Sequence, residues 1–412
     1  MSDVAVLDVR LHNQTIGTLT RLPDDRNIFV FDDACVDNPR RPTLSLSFKD
    51  SLGGLITHLP PTQTRLPAFF SNLLPEGSLR NYLAQRARVN AQREFFLAWV
   101  LGRDLPGAVQ IVARDANSLP PDTLDQQYRG GTKDDAIQVL RFSLAGVQLK
   151  FSAVQKANGG LTIPADGVGG SWIVKLPSQR FAAVPENEFA MMELARQIGI
   201  DVPETRLLPV SEVKGLPSGV ELVGDKAFAI KRFDRAANGE RIHIEDFAQI
   251  FGVYPDRKYE RASYRNIAHV LWVESGEDGI VEFLRRLVFN VLIGNADMHL
   301  KNWSLIYPKE RAAELAPAYD YVSTIAYLPD DRLALSLVDS KRFDSMTRER
   351  FTWLAAKAGL PEKITLDTVT NTVEAFRAAW RNFDNEALDS KVRSAIDKHL
   401  KTIPLWHRMT RK

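Results

Sequence analysis

Apolar and polar residues alternate in short runs between residues 4 and 48: VAVLDVRL, TIGTLTRL, NIFVFDD and TLSLSF, the last strictly. Such period-two alternation, broken by turns, predicts strands with one buried face. The pattern changes within residues 67 to 103, PAFFSNLLPEGSLRNYLAQRARVNAQREFFLAWVLGR, which predict helix after Pro75. Paired Pro and paired Gly between Asn117 and Thr132 read as a linker and mark a domain boundary. Strand-like runs return from Ile137 to Asp234, notably SWIVKLP at 171–177 and KAFAIKRF at 226–233. Between them lies one helix, with Pro185, Glu186 and Glu188 in its first turns and its end at Gly199. Beyond Asp234 the periodicity is mainly helical. In IVEFLRRLVFNVLI, residues Ile280, Phe283, Leu284, Leu287, Val288 and Val291 share one face, and Gly294 is placed to end the helix.

This pattern divides the chain into a β-rich and helical amino-terminal unit (1–115), a linker (116–136), a strand-rich unit (137–233) and a mainly helical unit (234–412), an α+β organisation. The chain has 412 residues, 44% hydrophobic and 25% charged, ordinary globular usage that argues against disorder. A formal charge of +2 supplies no basic field, so strong nucleic-acid binding by this chain alone is not expected. Cys35 is the sole cysteine, which excludes an intrachain disulfide framework and a cysteine-based zinc site. The first residues carry acids and alternate, unlike a signal peptide, and no apolar run approaches the roughly 20 residues that span a bilayer. A cytoplasmic protein without a membrane partner is expected, and the NQT at Asn13 is then an accidental sequon.

Candidate chemistry centres on Gly294-Asn295-Ala296-Asp297-Met298-His299-Leu300-Lys301-Asn302, polar residues between an apolar helix and the strand-like WSLIY. In phosphoryl transfer an Asp accepts the proton of the attacking hydroxyl, and an Asn five residues on ligates Mg²⁺. Asp297 and Asn302 have that spacing. Asp320, in LAPAYDYVS, offers a second Mg²⁺ ligand. Pairing Trp303–Tyr307 with Leu315–Tyr319 across the PKER turn would bring it beside Asn302.

These motifs, with FFSNLLPEGSLR, FSLAGVQLKFS, WIVKLP, AIKRFDR, GNADMHLKN and AYDYVS in order from about residue 67 to 323, resemble the HipA family. The resemblance implies a protein-kinase-like two-lobed fold, related to lipid kinases, with an additional amino-terminal subdomain. It implies ATP and Mg²⁺ as cofactors, and a serine/threonine kinase toxin acting on a protein, in characterised members an aminoacyl-tRNA synthetase. It also implies a helix-turn-helix antitoxin of the HipB type, through which operator DNA is met. The alternatives are a small-molecule or lipid kinase of the same fold and a non-catalytic interaction protein.

Within that fold a lysine must meet the nucleotide phosphates. Lys175 is preferred over Lys231, because alternation in SWIVKLP sets it opposite Trp172, Val174 and Leu176 and because Glu188 follows in the next helix as an ion-pair partner or a solvated helix-start acid. Lys231, Arg232 and Phe233 are read as the hinge whose backbone meets adenine. No G-x-G-x-x-G loop is present in this lobe. Its place falls to Ser143-Leu144-Ala145-Gly146-Val147-Gln148-Leu149-Lys150, where Ala145 and Gly146 let backbone N–H groups approach phosphate. By resemblance this segment covers ATP and carries the autophosphorylated serine, Ser143. His299 is expected to shape the nucleotide loop rather than bind zinc, and Lys301 either reaches the transferred phosphoryl group or is solvated. HIEDFAQIFG, read as helix, and YPDRKYE also match the family, without an assigned role.

Overall fold

The structure is a computed structural model. It describes residues 5–114, 150–155, 161–163, 170–178, 180–216, 224–329 and 332–407. The expected linker, Ser143 and the segment from Ala145 to Leu149 lie outside the described residues.

An antiparallel sheet opens the chain, in the order β4-β3-β2-β1-β5: β1 Ala5–Leu11, β2 Gln14–Arg21, β3 Arg26–Phe31, β4 Thr62–Gln63 and β5 Val109–Ala113. Alternation fixes its inner face, since Leu7, Val9 and Leu11 are all buried. Leu11 pairs with Gln14, leaving the two-residue turn His12-Asn13, both left-handed as a tight hairpin requires. TLSLSF is not a strand. The Ser45 side chain accepts from Ser47 N and caps a single 3₁₀ turn, Leu46–Phe48, while Ser45 and Leu46 also bond Glu245. Local side-chain capping overrides the alternation there. Helices α1 (Gly77–Arg86) and α2 (Glu94–Leu101) follow Pro75 as expected.

The second sheet runs β7-β6-β8-β10-β9: β6 Lys150–Gln155, β7 Leu161–Thr162, β8 Trp172–Lys175, β9 Thr205–Pro209 and β10 Lys226–Lys231. Its two faces serve two cores. Phe151, Trp172, Val174, Ala227 and Ala229 join the apolar core of the amino-terminal sheet and helices. Phe228 and Ile230, on the opposite face, join Ala190, Met191 and Leu194 of helix α3 (Val184–Gln197) in the core of the helical unit. The amino-terminal unit is thus packed onto the back of this sheet by shared hydrophobic burial, the strongest non-directional term available.

Helix α4 (Tyr264–Ile293) is two helical runs joined at Gly276, whose φ of 63° and ψ of −148° break it. In the second run the predicted apolar face is entirely buried. Gly294 ends it in the left-handed region, and a Cβ there would also lie 2.2 Å from Ile325. Helices α5 (Arg348–Ala358), α6 (Glu362–Arg381) and α7 (Ser390–Leu400) complete the unit. No helix among the described residues is long and apolar enough to cross a membrane.

A third sheet, β11-β12-β13 (His243–Asp246, Ser304–Tyr307, Glu314–Leu315), revises two expectations. HIED is a strand with His243 and Glu245 buried, and the helix is only Phe247–Ile250, started by a capping box between Asp246 and Gln249. The hairpin forms, but Leu305 faces Leu315 and Ile306 faces Glu314. That register, continued, sets Asn302 opposite Ala318 rather than Asp320. The last bond of the ladder is Ala316 N–H to Ser304 O (2.9 Å), because the next N–H that could face β12, that of Ala318, donates to Asp201 O (2.8 Å) instead.

Candidate active site

The turn after α4 carries Asp297 on a frame of buried amides. Asn295 is fully buried: its side-chain oxygen accepts from Asp297 N (3.0 Å), and its Nδ2 donates to Asn290 Oδ1 (2.8 Å) and Asp320 O (3.4 Å). Asn302 closes the loop, donating Nδ2 to Asp297 O at 2.8 Å. Tyr319 O–H donates to Lys301 O (2.9 Å), so side chains rather than the β-ladder bring the Asp297 loop and Asp320 together. Asp297 is the exposed member, and the Tyr259 phenol donates to its Oδ1 at 2.5 Å.

Lys175 ends β8 with its ammonium buried between Glu188 Oε1 (2.5 Å) and the Asp320 carboxylate. Burial works against that ammonium, but Asp320 and Glu188 outweigh it and hold its proton well above the ordinary lysine range. Burial would likewise raise Asp320, yet Lys175 and Lys150 keep it far below the usual carboxylate range. Burial pushes Glu188 up to about 7. Lys150, paired with Lys175 across β6 and β8, is brought down to about 8, again by burial first. Asp320 holds a left-handed φ of 60°, costly for a residue with a Cβ and tolerated where the surroundings fix it.

Of the other expected residues, Lys231 is 54% exposed and 3.8 Å from Glu204, far from the role of Lys175. At the expected hinge, the N–H of Lys231 donates to Glu204 O and that of Arg232 to Ser171 O, both at 2.8 Å, so the other backbone groups of Lys231–Phe233 are those that would meet adenine. The Arg232 guanidinium is buried against Asp234 and Asp104, the latter from the amino-terminal unit, and the Phe233 ring lies against Tyr319. His299 is buried with its ring edge-on to Tyr259, and burial followed by Lys258 brings it down to about 3, a neutral imidazole.

Lys301 is neither solvated nor aimed at a phosphoryl group. Its ammonium lies 2.7 Å from Glu76 and donates to Asn72 O at 2.9 Å, both residues of the amino-terminal FFSNLLPEG stretch. Lys258 holds Glu76 from the other side at 3.0 Å. Glu76, Lys258, Tyr259 and Asn295 were missed as site residues. All four stand inside matched motifs, but only the fold shows that these motifs meet.

Whether this site suits Mg²⁺ follows from its oxygen donors. Asp320 is held ionised, and Asn302, its Nδ2 spent on Asp297 O, keeps an Oδ1 to which nothing donates among the described residues. A carboxylate and an amide oxygen are the hard ligands that Mg²⁺ takes. The two residues fit.

The HipA-like C-terminal domain family matches residues 142–380, and the HipA N-terminal domain family matches residues 7–112. The chain belongs to the HipA family. A Sinorhizobium fredii protein named "Putative kinase Y4dM" is 53% identical over 98% of this chain and 99% of its own length. The "Serine/threonine-protein kinase toxin HipA" of Shewanella oneidensis is 27% identical over 75% of each chain. Among solved structures, Shewanella oneidensis HipA, in a complex with HipB and operator DNA, superposes with a TM-score of 0.69 at 22% identity, covering 97% of this chain and 96% of that one. The HipA fold, a kinase-like fold with an amino-terminal subdomain, is therefore this chain's fold.

Lys175→Met is expected to lower Mg·ATP affinity about tenfold or more, because a buried charge-assisted contact is worth about 1.5–3 kcal/mol. Lys231→Met, at an exposed site, should leave it nearly unchanged. Nucleotide titration of both variants decides the assignment, and a larger loss from Lys231→Met would invert it.

Proposed function

We propose that the chain is an ATP- and Mg²⁺-dependent serine/threonine protein kinase, the toxin of a HipA/HipB-like pair. The observation that carries this reading is the buried Lys175 bridging Glu188 and Asp320, in a site whose exposed member is Asp297. Lys175 is the cation for the nucleotide phosphates, and Glu188 keeps it extended across the sheet. Asn302 and Asp320 would hold Mg²⁺, which would supply charge neutralisation to the bound phosphates. Asp297 takes the proton of the substrate serine or threonine hydroxyl. The Tyr259 phenol already makes to Asp297 the contact that such a hydroxyl would make.

The relatives' names support a toxin kinase, and the HipB–operator complex of the Shewanella protein supports an antitoxin partner for this one. With a net charge of only +2, operator DNA is met mainly through the antitoxin. The substrate is a cytoplasmic protein, an aminoacyl-tRNA synthetase by family likeness. Ser143, in the segment that by family likeness covers ATP, is the self-modification site. A phosphate there adds about −1.5 to −2 charges beside those of ATP and turns the enzyme off.

Induced expression of wild type beside Asp297→Asn, with a phosphoproteome of each, tests the whole reading. Growth arrest, one dominant new protein phosphosite and phosphate at Ser143 are expected in wild type alone. Identical phosphoproteomes would end the proposal. Ser143 phosphate persisting in Asp297→Asn expressed alone would remove the self-modification.

A further inference from the structure

A surface cavity of about 580 Å³ lies where the chain enters α4, lined by Arg261, Arg265 and Lys357 with Ser263, Asn266 and Ser336. All three cations are exposed, and none has an ion-pair partner among the described residues. They come from two elements: the entry to α4 and helix α5. Arg342, by contrast, is paired with Asp344, and Arg350 with Asp339. Three unmatched positive charges around one concavity attract an anion.

This cavity adjoins the candidate base. Arg261 stands two residues after Tyr259, whose phenol touches Asp297. Tyr264, between the lining residues Ser263 and Arg265, donates its hydroxyl to Met298 O in the Asp297 loop at 3.1 Å and its N–H to Ser336 O, also at 3.1 Å. Lys341 Nζ donates to Tyr259 O at 3.1 Å and to Ala334 O at 2.7 Å.

Resting on the kinase reading, we propose that this cavity is the specificity site for the protein substrate, and that it takes a carboxylate-bearing segment of the polypeptide. Two residues of backbone and two long side chains separate Asp297 from Arg261, roughly 20 Å at most, so the acidic residue that meets Arg261 lies within about six positions of the acceptor hydroxyl. The charge pattern favours a peptide over nucleic acid. Three cations around one cavity neutralise few phosphates, whereas duplex affinity is built from six or more.

The probe is fluorescein-labelled hexaglutamate, titrated by anisotropy at low salt against the full-length protein. Arg261→Gln/Arg265→Gln/Lys357→Gln should bind it at least tenfold more weakly than wild type, with the same Mg·ATP affinity and the same unfolding midpoint. Equal hexaglutamate affinity in the two proteins would overturn the proposal. So would a labelled 12-nucleotide single strand that binds wild type more tightly than hexaglutamate and loses that affinity in the triple variant, which makes the cavity a nucleic-acid site. Failure of wild type to bind Mg·ATP would remove the kinase reading instead, a result read in a separate titration.

Discussion

Asp297→Asn is expected to lower phosphoryl transfer by about 10²–10⁴-fold, the usual contribution of a positioned general base. Mg·ATP affinity should stay close to that of wild type. The reason lies in the division of labour around the loop. Asp297 offers its backbone, not its carboxylate, to the frame: its N–H donates to Asn295 and its carbonyl accepts from Asn302. The substitution removes a proton acceptor and leaves the expected metal ligands in place. Asp320→Asn acts by the other route. Its carboxylate is one of two that balance Lys175, and Lys150 stands nearby, so its loss leaves excess positive charge and one metal ligand fewer. Nucleotide affinity should then lose its magnesium dependence. Radiolabelled phosphate transfer and calorimetric titration with and without Mg²⁺ separate the two variants. Unchanged transfer by Asp297→Asn would remove it as base.

The parts of this site that are local in sequence were legible without coordinates. Asp297 and Asn302 share one short loop, and Lys175 follows from alternation in one strand, since Trp172, Val174 and Leu176 claim the opposite face. Asp320 was found with the wrong geometry attached. The expected ladder ran on to Tyr319, whereas it ends at Ala316 because the Ala318 N–H goes to Asp201 O, and Tyr319 and Asn295 make the connection. What sequence reasoning could not see is contact between distant segments. Lys301 looked like a catalytic or solvated lysine because nothing near it in sequence carries the charge that holds it. Glu76 is more than two hundred positions away. TLSLSF failed for a related reason: its alternation is genuine, but Ser45 and Leu46 are recruited by Glu245, which belongs to another unit.

Glu76→Gln is expected to cost about 3 kcal/mol of stability at pH 7, because it leaves two lysines packed together without their common counter-charge. Glu76 is 13% exposed at its side chain, with Lys301 at 6% and Lys258 at 10%, so water screens this cluster little. Burial would raise the carboxyl, but Lys301 and then Lys258 outweigh it and bring it from 4.5 down to about 2. The sign of the pH dependence follows from that direction. A carboxyl depressed in the folded state contributes fully above its unfolded value of 4.5, and the contribution is lost as pH falls toward about 2. Gln cannot titrate, so the stability gap between wild type and variant should be widest near neutrality and shrink to roughly half by about pH 3. Urea midpoints measured from pH 7 downward report the gap directly. Coincident midpoints at pH 7, or a gap that widens on acidification, would show that Glu76 does not carry this load. The same clamp ties the FFSNLLPEG stretch of the amino-terminal unit to the residue preceding Asn302. Loosening it should therefore also raise hydrogen exchange in the 297–302 loop at pH 7.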